Sequence, residues 1–118
     1  MDTKEAILGF QYSEKMKSGL IIGTNLLAQL DSLKDLERSG GEKVLVWFLE
    51  GLLREARIGE NVLGSRYFGE LEQKVMEVIG RVRVSRFEEA QRSFSEAISS
   101  ATTLCQGSMT FLIERRLI

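Results

Sequence analysis

Neither proline nor histidine occurs in the 118 residues, and cysteine occurs once, at Cys105. Without proline nothing in the chain forces a helix to stop or kink. Without histidine the chain lacks the usual general base near neutral pH and the commonest nitrogen ligand for metals. One thiol and no imidazole exclude Ser-His and Cys-His nucleophile pairs, and structural zinc sites, within the chain. A disulfide framework is excluded as well, and a lone thiol fits a reducing cytosol. Any chemistry therefore falls to carboxylates.

What is present reads as an ordinary globular domain. Hydrophobic residues make up 43% and charged residues 28%, enough for a core and a solvated surface, and the length fits one domain over residues 1–118. The net charge of −1 offers no basic field to a nucleic-acid backbone, so no nucleic-acid partner is expected. The longest strictly apolar run, residues 44–49, is far too short for a membrane span. Residues 1–5 show no basic-then-apolar signal pattern, and the expected location is the cytoplasm.

Apolar residues recur at helical spacing nearly everywhere, and strands have little support. Three capping boxes mark candidate starts: Asp2-x-x-Glu5, Ser39-x-x-Glu42 and Ser85-x-x-Glu88. In each, a short polar side chain and a Glu three residues on would satisfy each other's free backbone amides. With Gly19, Gly40-Gly41 and the Gly59 to Ser65 turn cluster, they divide the chain into helices over about 3–17, 20–38, 42–58, 66–82 and 86–115. The fold class is all-α, a bundle of four to five helices.

Two segments stand out. The third carries two apolar stripes, one through Leu45, Leu49, Leu52 and Ala56, the other through Val44, Trp47, Gly51 and Ile58. A helix apolar on two sides is expected to be buried on two sides. The last segment would span roughly 45 Å as one helix, against a radius of gyration of about 13 Å for a compact domain of this size. Its Ala90, Ala97, Ala101 face lets another helix approach closely. Either it breaks at Gly107 or its excess length packs on a second subunit, and the expectation is a homo-oligomer, a dimer or tetramer that completes the core.

Fourteen of the seventeen acids are Glu, and those flanking the Gly-rich turn carry the candidate chemistry. Glu50 and Glu55 lie on the third segment; Glu70 and Glu72 lie on the fourth. Carboxylates from two facing helices can hold a divalent metal in a bundle. The competing reading is solvated helix surface, with Arg54 and Lys74 as i+4 partners of Glu50 and Glu70. Arg81, Arg83 and Arg86 form a basic cluster that would bind a phosphate or balance nearby Glu. Cys105 falls on the apolar period and reads as a small core residue.

The helix order and these acids resemble the all-α NTP pyrophosphatase superfamily, the MazG-like proteins. The family signature is E-x-x-E on one helix and E-x-x-D on the next. Here Leu49-Glu50-Gly51-Leu52-Leu53-Arg54-Glu55-Ala56 is similar to the first, with the acids five apart. Glu70-Leu71-Glu72-Gln73 is similar to the second, with Gln73 in the place of Asp, and no Asp follows Asp35. The resemblance implies a tightly associated dimer or tetramer that hydrolyses nucleoside triphosphates with magnesium held by Glu50, Glu55, Glu70 and Glu72, or a relative that has lost the activity. No catalytic residue is assigned. The alternative is a non-catalytic helical module for oligomerisation or partner binding.

Overall fold

The computed structural model describes residues 1–118, apart from the side chain of Ser65. Four helices make up the described chain: α1 (Thr3–Leu30), α2 (Asp35–Leu63), α3 (Ser65–Arg83) and α4 (Phe87–Glu114). Each packs against its neighbours in sequence, and α4 returns to α1. Contacts such as Gly19 with Leu52, Arg57 with Glu72, Lys74 with Glu96 and Gly9 with Ser108 run in opposite directions along each pair. The result is an up-down-up-down bundle, 54 Å long and 22 by 18 Å across.

The segments expected over 3–17 and 20–38 are largely one helix. The Asp2–Glu5 capping box starts it, with Glu5 N–H donating to Asp2 Oδ1 at 2.8 Å and Asp2 N–H to Glu5 Oε1 at 3.1 Å. Gly19 does not break it. The chain turns instead at residues 31–34, and α2 runs straight through Gly40 and Gly41. A Cβ on Gly41 would collide with Leu30. The glycine there lets α1 and α2 approach and does not end a helix. The other two boxes are not used. Glu42 accepts from the Ser85 hydroxyl at 2.8 Å, across the α2–α3 end of the bundle.

The expected turn over 59–65 shrinks to one residue. Helix α2 continues to Leu63, and Gly64 alone reverses the chain, at φ 98° and ψ 157°. A side chain is strained at that φ. Gly59 is helical and lies against the Phe68 ring.

The core runs the length of the bundle. Met16, Leu20, Leu27, Leu45, Leu49, Phe68, Leu71, Val75, Val78 and Phe94 are sealed from solvent. Helix α4 is continuous through Gly107, but it does not project alone, because α1 and α2 have 28 and 29 residues to match its 28. Its alanine face is not free for a second subunit. Ala90, Ala97 and Ala101 are fully buried within this chain. Small residues on α1 meet α4: a Cβ on Gly9 would lie 2.6 Å from Ser108 Oγ, and one on Gly23 2.8 Å from the Phe94 ring. In that register Met16, Leu20 and Leu27 lie opposite Ala101, Ala97 and Ala90, large against small.

The two stripes of α2 part company. Leu49 is 0% exposed and Leu52 8%, as the first stripe predicts. The second stripe is not buried in this chain: Trp47 is 66% exposed, Val44 58% and Ile58 45%.

Candidate functional site

The four candidate acids sit on three different seams. Glu50 leaves α2 towards α3, where its partner is Arg83 at 3.5 Å rather than Arg54. Glu55 leaves α2 on the other side, towards α1, and pairs with Lys15 at 3.1 Å. Glu72 leaves α3 towards α2 and accepts from Arg57 Nε at 3.0 Å. Glu70 lines a groove between α3 and α4. Its expected partner, Lys74, pairs with Glu96 and Glu77 instead.

Each seam pairs an acid of one helix with a cation of the next, which serves the rim of a bundle well and a metal site poorly. A guanidinium within 3.5 Å competes directly with a divalent cation for the same oxygens. Among the described residues no group of three or more acids or thiols is placed to hold a metal ion.

One pair of acids does meet across helices. Glu60 of α2 and Glu72 of α3 lie within hydrogen-bond reach of each other, a bond that forms when one of the two carries a proton. That bond, and then the Arg57 guanidinium, hold the Glu72 carboxyl below the usual carboxylate range. The helix-to-helix register brings Glu60 into this pair. Sequence spacing centred on Glu50 and Glu55 passed it over.

The groove between α3 and α4 has a volume of about 620 Å³. Arg66, Tyr67, Glu70 and Lys74 line one side, and the Ser99 and Thr103 hydroxyls of α4 line the other. Its cations are engaged: Lys74 with Glu96, and Arg66 stacked 4.7 Å over the Tyr67 ring and bonded to its hydroxyl. The basic cluster of residues 81–86 is likewise spread over separate partners. Arg81 donates to the Ser93 hydroxyl, Arg83 pairs with Glu50, and Arg86 with Glu89 at 3.5 Å. No phosphate cradle results. Cys105 is buried, and its thiol donates to Glu14 Oε1 at 3.2 Å. Burial, then Glu14, push the thiol pKa up, which suits an inert core residue and not a nucleophile.

The outer side of α1 and α2 is different in kind. Residues 18–30 of α1 carry no charge at all. Along the edge of α1 that faces α2, Lys15, Gly19, Ile22 and Leu26 follow one another at helical spacing, and Ile22 is 52% exposed. Beside them runs the outward stripe of α2: Gly40, Val44, Trp47, Gly51, Ile58 and Val62. A Cβ on Gly51 would meet nothing nearer than an Arg54 nitrogen at 3.8 Å, and one on Gly40 nothing within 4 Å. Among the described residues no helix is long and apolar enough to cross a membrane.

Set beside known proteins, the chain matches no family model, no curated protein and no solved structure.

Proposed function

We propose that this chain is a non-catalytic helical module that acts by protein association through the outer side of α1 and α2. One observation carries the reading. Exposed apolar side chains, a charge-free run of backbone and glycines that the chain's own packing does not use all coincide on that side. Protein interfaces are depleted of charge at their centres and enriched in aromatics, and contiguous exposed apolar patches mark interaction sites. Three of the four candidate carboxylates, Glu50, Glu55 and Glu72, are by contrast matched to cations of neighbouring helices.

The competing reading is the magnesium-dependent pyrophosphatase implied by the MazG-like resemblance. Its support is the Glu60–Glu72 pair across α2 and α3. Hydrolysis of nucleoside triphosphates, assayed with millimolar magnesium, separates the two. The association reading expects no turnover and no rise in melting temperature with magnesium, since a cation that binds only the folded state would raise it. Turnover that disappears in Glu60→Gln plus Glu72→Gln would replace association with catalysis.

A further inference from the structure

We infer that the α1–α2 face docks a second copy of this chain, with the two α2 helices antiparallel and Gly51 of each copy at the two-fold axis. The inference rests on the association reading above and names its partner.

The face complements itself. In a two-fold interface, if one position meets another, the reverse contact also forms. An antiparallel crossing centred on residue 51 sets positions equidistant from it against each other. Val44 then meets Ile58 of the second copy. Gly40 meets Val62, a gap against a branched side chain. Trp47 falls beside Glu55 and Arg54 of the second copy, where the guanidinium can lie on the indole face. At the axis, glycine meets glycine and the backbones can approach closely. A helix-interior glycine is costly relative to alanine, and no contact within this chain requires one at Gly51.

The size also fits. Ile22, Leu26, Val44, Trp47, Ile58 and Val62 are 40–66% exposed. Together they expose roughly 600 Å² per copy, and with the polar residues between them the face reaches the order of 800 Å² that each partner buries in a standard interface. Charge on the face is sparse, and Arg54, near the axis, is set against Trp47 of the second copy. Residues 18–30 bring none, and Glu55 is already paired with Lys15. Antiparallel α2 helices set the acidic first turn of one copy, with Asp35 and Glu37, towards the opposite end of its partner, which is the favourable sense for two helix dipoles.

Sedimentation equilibrium at micromolar protein reads the assembly, and Trp47, the sole tryptophan, reports on the face. The expected mass is twice the 13.3 kDa of one chain, with indole emission moving to the red on dilution. Trp47→Glu should weaken association at least about 30-fold, as removal of a central aromatic anchor does, with helix content unchanged. A second variant fixes the geometry. In a Cys105→Ala background, the double variant Val44→Cys plus Ile58→Cys should form disulfides between copies, because the two positions face each other across the axis. Gly80→Cys, outward on α3, should not. A monomer across the micromolar range overturns the inference. So does a dimer that crosslinks through Gly80→Cys and not through the Val44→Cys, Ile58→Cys pair. A monomer without turnover would leave the association reading standing with a different protein as partner. Nucleotide hydrolysis would overturn that reading and leave the mass and crosslink to judge the dimer.

Discussion

Leu49 and Trp47 stand two residues apart on α2. Leu49 is sealed in the core at 0% exposure, and Trp47 is 66% exposed. Both belong to apolar stripes of similar length on the same helix. The inner stripe belongs to the one buried cluster that all four helices build. Val44, Trp47 and Ile58 of the outer stripe stay 45–66% exposed. Apolar periodicity fixes which residues share a face. It does not fix what that face will lie against, because the partner surface can come from the same chain or another.

Substitutions on the two stripes should break this comparison most sharply. Leu49→Ala opens a cavity in the core and should cost about 2–5 kcal/mol, measured by urea unfolding. Val44→Ala should cost under about 0.5 kcal/mol in a monomer, as at other surface positions. Equal losses would mean that the outer stripe is covered even in dilute protein. Next comes the α1–α4 seam. Ala97→Leu adds three carbons where small residues face large ones, and should destabilise the monomer by about 1–3 kcal/mol.

A smaller effect should have the opposite sign. Gly51→Ala adds a methyl group where the chain leaves room, and should stabilise the dilute monomer by up to about 1 kcal/mol through helix propensity. The same methyl group should weaken the dimer, and sedimentation would detect it. The smallest effect belongs to the rim. Glu72 has its pKa lowered from 4.5 by its bond with Glu60 and by Arg57. A depressed carboxyl stabilises the fold above its unfolded pKa, and that contribution fades as pH falls through the folded value. Glu72→Gln should therefore cost about 0.5 kcal/mol near neutral pH, and the difference should shrink as pH falls. Thermal melts across that range would show the two curves converge.

The all-helical fold was legible in the sequence, because both the missing proline and the apolar period act locally. The Asp2–Glu5 cap was legible for the same reason. Gly41 was misleading. It looks like a helix end, but its role is to admit Leu30, and only the packing of α1 on α2 reveals that. The acids follow the same logic. A helical wheel offers Glu50 the neighbour Arg54 on its own helix, whereas the bundle supplies Arg83 from the next. Cross-helix pairs depend on register between helices, which composition and spacing do not encode. The alanines of α4 were legible as a close-approach face. That the approaching helix is α1 of the same chain depends on the ring closing.

That closure has a kinetic consequence. Three of the four seams join helices adjacent in sequence, through connections of four, one and three residues. They can form as local hairpins with little loop entropy to overcome. The α1–α4 seam joins the two ends of the chain, so it holds the contacts most distant in sequence, such as Gly9 with Ser108. Closing the chain between such distant segments costs the most loop entropy. The small residues Gly9, Gly23, Ala97 and Ala101 would then form their contacts late. Substitutions there should speed unfolding much more than they slow folding, and the lifetime of the folded bundle is set where its first helix meets its last.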